Sequence, residues 1–207
     1  IDHDITFDPT SSLERQNDPT AVVNFRTPVL ELDSVYGAGP GAMPLLYDQT
    51  DPDKLLTGTP ENPDDLPRNR QGTALIGDPR NDENLIITQF QLAFLKLHNA
   101  VVDYVRDKGT PPGRVFQEAQ RLVRWHYQWL VVHEFLPLLV GPHLVDEILG
   151  DGPQFYHPGS VPFIPIEFSI AAYRFGHSQV RSAYKINGKI KKKLFDLPFF
   201  TPITPDQ

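Results

Sequence analysis

Two long stretches of helical periodicity constrain the fold of this 207-residue chain more than any other feature of its sequence. Across residues 84–108, apolar side chains recur at intervals of three and four, which gives a helix one wide apolar face. Glycine and proline in the segment 109–112 end that helix, and a second long helix is predicted over about 114–139. A short helix over 142–149 and a third amphipathic helix over about 166–183 complete the helical pattern.

The rest of the sequence predicts long irregular connections. Residues 1–83 have poor apolar periodicity, residues 150–165 are rich in glycine and proline, and many of the 21 prolines lie in such connections. Pro137 is expected to bend or end the second helix, and one short hairpin is predicted around Asn187-Gly188. We therefore predict a mainly α fold, with a helical core, long irregular Pro-rich loops and few or no strands.

Charge and composition exclude several classes of protein and site. The net charge of -7 argues against a nucleic-acid partner, because phosphate binding needs a basic surface. The chain has no cysteine, which excludes disulfides and thiolate metal sites. Charged residues or histidines interrupt every apolar stretch before about 18 residues, so no transmembrane segment is predicted. The chain begins at Ile1 rather than Met, and we interpret residues 1–207 as a single partial domain of a longer polypeptide.

The triplet Asp2-His3-Asp4 is the first candidate site. A neighbouring carboxylate can raise the pKa of a histidine or hold a metal, and a histidine that titrates near neutrality suits proton transfer. The alternative is an incidental surface triplet, which is the commoner origin of such a sequence.

The segment 27–34 alternates oxygen-bearing and apolar side chains. In an extended segment alternate side chains share a face. Thr27, Glu31 and Asp33 would then present their oxygens together, with the Val29 carbonyl between them. Hard oxygen ligands of this kind favour Ca²⁺. The alternative is a short amphipathic strand with a polar outer face.

The segment 77–84 precedes the first long helix. An Asp or Asn is expected there as the N-cap, with Glu83 as an acid in the first turn. Arg80 has no capping role, because cations are unfavourable at that end of a helix. It is either solvated or directed at an anionic or polar ligand.

The third predicted helix carries Arg174 and His177 one turn apart, so the two side chains lie on nearly the same face. Gly176 within a helix costs about 1 kcal/mol relative to alanine, which indicates that something large packs against the backbone there. An imidazole and a guanidinium on an otherwise apolar helix suit a haem, which offers iron to one and propionates to the other. The alternative is a partly buried histidine with a satisfied hydrogen bond.

The order of these motifs carries more information than any one of them. The sequence resembles the animal haem peroxidase superfamily over nearly its whole length, and more a bacterial member than a mammalian one. Five signatures occur in family order, namely Asp2-His3-Asp4, an oxygen-rich loop ending Val35-Tyr36-Gly37, Gly77-Asp78-x-Arg80-x-x-Glu83, Leu97-His98-Asn99 and Tyr173-Arg174-Phe175-Gly176-His177. Within the fourth signature, His98 is interpreted as a structural hydrogen-bonding residue.

The resemblance implies a role for each matching residue. His3 matches the distal histidine, which takes a proton from hydrogen peroxide and returns it to the departing oxygen. Arg80 matches the distal arginine, which polarises the O–O bond. His177 matches the proximal ligand of the haem iron, and Arg174 matches a partner of a haem propionate.

The resemblance also implies a calcium site and haem attachment points. Asp4, Thr27, the Val29 carbonyl, Glu31 and Asp33 match the family's calcium ligands, although the usual family pattern has Asp in place of Glu31 and Ser in place of Asp33. Asp2 and Glu83 match positions at which mammalian members form ester links to haem. The implied cofactors are therefore haem b, with ester links chemically available, and Ca²⁺.

The function implied by the resemblance is a haem peroxidase that reduces hydrogen peroxide and oxidises halides or small organic reductants through a ferryl intermediate. One alternative is a haem-dependent fatty-acid dioxygenase, but Arg174 stands where those enzymes carry a radical-forming tyrosine. Another is an inactive, calcium-stabilised interaction module. Family domains are longer than this chain, so a second polypeptide segment is expected to complete the haem pocket. The resemblance favours a secreted or extracellular location.

Overall fold

The structure is a computed structural model in which residues 2–7, 24–186 and 190–194 are described. The chain divides into two compact units. Among the described residues, the first unit contains those of Leu32–Arg124 and those from Gln179 onward, and the second contains those of Asp2–Glu31 and Trp125–Ser178. The two units are described separately below.

The described secondary structure is mainly helical, as predicted from the sequence. In chain order it comprises α1 (Asp33–Tyr36), 3₁₀ turns at Pro44–Leu46 and Pro79–Asp82, α2 (Leu85–Asp107), a 3₁₀ turn at Pro112–Arg114, α3 (Val115–Leu130), a π-helical turn at Val131–Phe135, α4 (Leu136–Val140), α5 (Pro142–Asp151), a π-helical turn at Phe168–Ala172, a 3₁₀ helix at Tyr173–Gln179, β1 (Tyr184–Ile186) and β2 (Ile190–Lys192).

Helix α2 organises the first unit, and its bounds confirm the prediction for residues 84–108. The Asn84 side chain caps the helix by accepting a hydrogen bond from the Ile87 amide at 3.1 Å. Gly109, with a φ of 82°, follows its last turn. Apolar residues of α2 pack against α3 in a cluster formed by Val102, Val105, Val115 and Ala119. By length and composition alone α2 is apolar enough to cross a membrane, a property that it shares with the buried core helices of soluble proteins.

Polar side chains of α2 fix the loops of the first unit. His98 is fully buried. Its Nδ1 lies 3.1 Å from the Tyr36 hydroxyl, and its Nε2 lies 2.8 Å from the Asp53 carbonyl oxygen. The neighbouring Asn99 side chain exchanges two hydrogen bonds of 2.8 Å with the backbone of Leu55. These contacts confirm the structural interpretation of His98.

The second long helix follows the prediction with one irregularity. Helices α3 and α4 are joined by the π-helical turn Val131–Phe135, so the helical path covers the predicted segment 114–139. Pro137 lacks an N–H and therefore cannot donate to the carbonyl of His133 one turn earlier. The wider turn immediately before Pro137 accommodates that missing bond. Helix α5 confirms the short helix predicted after Gly141.

The predicted third helix differs from expectation in both type and length. The segment consists of a π-helical turn and a 3₁₀ helix that ends at Gln179, rather than an α-helix that continues to residue 183. Helices in proteins are stabilised mainly by burial of one apolar face. Ser169 is the one buried residue of these two elements, so little packing within the described chain enforces α-helical geometry.

The predicted hairpin is present. β1 pairs with β2 in antiparallel register, with Tyr184 opposite Lys192 and Lys185 opposite Lys191. The connecting residues 187–189, which include the predicted Asn-Gly turn, lie outside the described part of the chain. The expectation of few strands is thus confirmed for the part of the chain that is described.

The buried position of His98 predicts a pH dependence of stability. Burial lowers the pKa of His98 from 6.5 to about 4 in the folded protein, so the unfolded chain takes up a proton at a higher pH than the folded chain does. Stability is therefore expected to fall as the pH drops from about 6.5 toward 4, by up to roughly 3 kcal/mol. Free energies of unfolding in urea near neutral pH and near pH 4.5 measure this loss. His98→Asn should remove most of it, and an unchanged pH dependence in that variant would contradict the account.

Candidate functional site

The first group of candidate residues lies on the 3₁₀ turn Pro79–Asp82 of the first unit. Asp78 caps this turn by accepting a hydrogen bond from the Arg80 amide at 3.0 Å. The same carboxylate accepts hydrogen bonds from Nε of Arg80 at 3.0 Å and from its Nη2 at 2.8 Å. The Asp78 side chain is 1% exposed and that of Arg80 is 20% exposed. Arg80 is therefore held by its own cap residue, and neither sequence interpretation, a solvated arginine or one directed at a ligand, included this contact.

Buried contacts on either side fix the turn that carries Arg80. Asn81 donates from its side-chain amide to Oε1 of Gln91 at 2.9 Å, and both residues are fully buried. Asp82 accepts a hydrogen bond from the Thr88 hydroxyl at 3.0 Å. A Cβ atom at Gly77 would lie 2.6 Å from the Ser34 carbonyl oxygen, so only glycine permits this approach of the two backbones. The turn is thus anchored on α2 and against α1.

Glu83 follows the turn and is exposed. The expectation that Glu83 lies in the first turn of α2 was wrong, because Asn84 is the N-cap and the helix begins at Leu85. Asn84 has the extended backbone of an N-cap residue and its side chain binds the Ile87 amide, so Glu83 precedes the helix.

The second group of candidate residues lies in the second unit, where the structure brings the N-terminal triplet next to the segment that contains His177. Nη1 of Arg174 lies 2.7 Å from Oδ2 of Asp4, and the Asp4 side chain is buried. The Tyr173 hydroxyl donates to the backbone oxygen of Asp2. His3, which is half-buried, lies between these two anchored residues in sequence.

His177 is exposed on the 3₁₀ helix, and its Nδ1 lies 3.1 Å from the Arg174 carbonyl oxygen. If Nδ1 carries the proton and donates to that oxygen, Nε2 keeps its lone pair. Metal-binding histidines in proteins typically have this arrangement. A Cβ atom added at Gly176 would meet no atom of the described chain within 4 Å. The packing predicted around Gly176 is thus not supplied by the described chain.

The predicted calcium ligands are only partly brought together. The Thr27 hydroxyl donates to Oε1 of Glu31 at 2.8 Å, which places two of the predicted ligands side by side in the second unit. The extended geometry assumed for this segment was wrong. The chain bends at Pro28 and Val29, Leu32 has a left-handed backbone with a φ of 58°, and Asp33 begins α1 in the first unit. The Leu32 side chain is fully buried in the first unit.

Two residues of these regions were missed by the sequence analysis. Asp78 was recognised only as a generic cap, because its contact with the guanidinium two residues later leaves no periodic signal. Tyr127 of α3 is the other residue. Burial raises its pKa, and the nearby Asp2 and Tyr173 raise it further. Among the described residues, no group of three or more histidine and carboxylate side chains forms a metal-binding cluster.

Comparison with known proteins identifies what the chain resembles. The sequence model of animal haem peroxidases matches residues 3–199. The chain is 38% identical to a peroxidase-like protein of Margaritifera margaritifera over 114 residues, which cover 52% of this chain and 14% of that protein. It is 30% identical to a chorion peroxidase of Aedes aegypti over 64% of this chain and 19% of that protein. It is 24% identical to thyroid peroxidase of Homo sapiens over 90% of this chain and 23% of that protein. The chain thus spans less than a quarter of each of these relatives.

The contact between Asp78 and Arg80 predicts a measurable coupling. Arg80→Ala leaves the buried Asp78 carboxylate without its bidentate partner, so it should lower the free energy of unfolding by about 1–3 kcal/mol. The double variant with Asp78→Asn removes the buried charge and should recover part of that loss. Urea unfolding measures both, and Arg114→Ala, at an exposed arginine, should change stability by less than about 0.5 kcal/mol. Strictly additive losses in the double variant would refute the coupling.

Proposed function

Because the chain belongs to the animal haem peroxidase family, we propose that the protein is a haem-dependent peroxidase that reduces hydrogen peroxide and oxidises halides or small organic reductants. The observation that carries this proposal is the linkage within the second unit. Arg174 and Tyr173 hold Asp4 and Asp2, so the segment that contains His177 is tied directly to the residues on either side of His3.

The residues present fit a haem. His177 directs Nδ1 at a backbone carbonyl, which leaves Nε2 to bind iron. Arg174 binds the Asp4 carboxylate and the Ser169 carbonyl oxygen through Nη1, and the remaining N–H donors of a guanidinium suit a propionate. The surroundings of Gly176 leave space beside the helix backbone. The carboxylates of Asp2 and Glu83 are the proposed points of ester attachment. When bound, haem supplies the iron at which peroxide is cleaved.

The chain's own residues would manage protons and charge in this reaction. We assign to His3 the transfer of a proton from one peroxide oxygen to the other, a role that suits an imidazole because its ordinary pKa lies near neutrality. We assign to Arg80 the stabilisation of negative charge on the departing oxygen. Asp78 holds the Arg80 guanidinium by two bonds, which reduces the reorganisation needed when that charge develops.

A fatty-acid dioxygenase is the weaker candidate. The position three residues before His177 is Arg174, whose guanidinium is engaged by Asp4. The nearest tyrosine in sequence, Tyr173, donates its hydroxyl to the Asp2 backbone. An inactive interaction module is a weaker hypothesis than a peroxidase, because the sequence contains His3, Arg80 and His177.

We further propose that additional polypeptide covers the second unit and completes the haem pocket. Val145 is the one buried hydrophobic side chain among its described residues. Large apolar side chains of the same unit are exposed instead, including Leu138 at 84% and Phe155 at 97%. The chain also spans less than a quarter of its relatives. A single peroxidase domain that extends beyond residues 1–207, and a secreted or extracellular location, are parts of the same proposal.

Calcium is proposed as the second cofactor, bound by Asp4, Thr27, the Val29 carbonyl, Glu31 and Asp33. This proposal is supported by the burial of the Asp4 carboxylate and by the 2.8 Å contact between the Thr27 hydroxyl and the Glu31 carboxylate. Calcium bound beside Asp4 would hold the neighbouring His3 in place, since the two are joined by one peptide bond.

The proposed iron ligand can be tested by absorption spectroscopy of the protein reconstituted with haem. The parent protein should show a Soret band, and His177→Ala should abolish it because the iron loses its axial ligand. His143→Ala, at an exposed histidine of α5, is the matched control and should keep the band. A parent-like spectrum in H177A would refute the assignment of His177. Acid extraction of the haem tests the ester links.

The same preparation separates the distal roles from cofactor binding. His3→Ala and Arg80→Ala should keep the Soret band and slow the reaction with peroxide by roughly two to four orders of magnitude, as expected for loss of a proton-transfer group or of charge stabilisation. Stopped-flow absorption measures this rate. A parent-like rate in both variants would contradict the proposed mechanism.

Calcium binding can be tested by calorimetric titration with calcium chloride. Asp4→Asn or Glu31→Gln should weaken binding on the order of tenfold or more, because each removes one charged ligand. Asp146→Asn, at an exposed acid of α5, is the matched control and should leave binding unchanged. Absence of calcium binding by the parent, or an unchanged affinity in D4N, would refute the site.

A further inference from the structure

Arg68 lies in the loop before the Arg80 turn and joins that loop to the turn. Its Nε and Nη2 donate to the two carboxylate oxygens of Asp65 at 2.8 and 2.9 Å. Its Nη1 and Nη2 donate to the two carboxylate oxygens of Asp82 at 2.6 and 2.8 Å. Nη1 also donates to the Gly72 carbonyl oxygen at 3.0 Å. These five bonds match the five N–H donors of a guanidinium.

The cluster formed by Asp65, Arg68 and Asp82 is largely shielded from water. The Arg68 side chain is 10% exposed, and those of Asp65 and Asp82 are 11% and 19% exposed. The hydrogen bonds that Arg68 donates to Asp82 and Asp65 raise its pKa, so the cation persists at all accessible pH values. Without Arg68, two carboxylates of like charge would face each other in a poorly solvated place.

The cluster acts on the segment proposed to serve the reaction. Asp82 is the last residue of the 3₁₀ turn, two residues after Arg80 and next to Glu83. Arg68 donates hydrogen bonds to Asp82 from the loop, and Thr88 donates to the same carboxylate from α2. At the other end of the turn, the Asp78 carboxylate accepts a hydrogen bond from the Arg80 guanidinium. The backbone beneath Arg80 is therefore fixed at both of its ends.

We propose that Arg68 is a positioning residue for Arg80. By binding both Asp65 and Asp82, Arg68 holds the turn that carries Arg80. This inference rests on the reaction proposed for Arg80. If Arg68 contributed to stability alone, its substitution would lower the amount of folded protein and leave the conformation of the Arg80 turn unchanged. A positioning role predicts instead that the effect of Arg68 on the reaction disappears when Arg80 is absent.

The chain offers a matched control for this inference. Arg106, near the end of α2, also bridges two aspartates, with contacts of 2.7 and 2.6 Å to Asp51 and 2.8 Å to Asp53. It lies in the same unit but does not contact the Arg80 turn in any of these bonds. Its side chain is 36% exposed, so the control matches the chemistry of Arg68 rather than its burial.

The experiment compares Arg68→Lys with Arg106→Lys in the haem-loaded protein. Lysine keeps the positive charge but cannot reproduce a planar fork that binds two carboxylates. R68K should increase amide hydrogen exchange across residues 79–83 and slow the reaction with peroxide on the order of tenfold, because small displacements of a reacting group are costly. R106K should do neither. In an R80A background, R68K should cause no further loss of rate.

The outcomes separate the inference from the function on which it rests. R80A that reacts at the parent rate would refute the role of Arg80 itself, while the exchange data would still decide whether Arg68 holds the turn. Unchanged exchange across 79–83 in R68K, an equal loss of rate with and without Arg80, or an equal loss in R106K would each overturn the positioning role. Should R68K fail to fold, Asp82→Asn keeps Arg68 paired with Asp65 and is expected to show a smaller effect in the same direction.

Discussion

The polar stripe along α2 is the constraint on which the first unit depends. Thr88, Gln91 and His98 are buried on one face of this helix, and each of them binds a residue outside it. A buried polar group that loses its partner costs about 1–3 kcal/mol, so each of these bonds specifies a loop position as well as stabilising it. The loops carry little regular structure of their own, and their conformation is therefore set by a helix that they contact through side chains.

The same constraint links the fold to the proposed chemistry. The Arg80 turn sits at the start of α2 and is held by Thr88 and Gln91 on the helix side and by Arg68 on the loop side. The second unit differs from the first, because Val145 is its one buried hydrophobic side chain among the described residues, and Arg174 and Asp4 form an ion pair within it. Large apolar side chains of this unit, including Leu138 and Phe155, are exposed, which supports the proposal that additional polypeptide covers them.

Apolar periodicity predicted the helices, and the order of the motifs predicted the family. The contacts between side chains in the loops were not predicted from the sequence. The bounds of α2 followed from its apolar spacing and its Asn cap, because both signals are local. The sequence predicted that the Thr27 and Glu31 oxygens share one face of an extended segment, whereas the structure joins them by a hydrogen bond across a bend at Pro28 and Val29. The clamp by Arg68 could not be predicted, since its partner Asp82 lies fourteen residues away across an irregular loop. Which charged residues pair across such a loop depends on its backbone conformation, which the spacing of residues in the sequence does not predict.

We propose that His3 and His177 would face one bound haem from its two sides. An experimental structure of the haem-bound protein tests this most directly. We expect the iron to bind Nε2 of His177, the His3 ring to lie on the other face of the macrocycle, and Arg174 to lie beside a propionate. An iron bound to any other residue, or a haem with His3 remote from its open face, would contradict it.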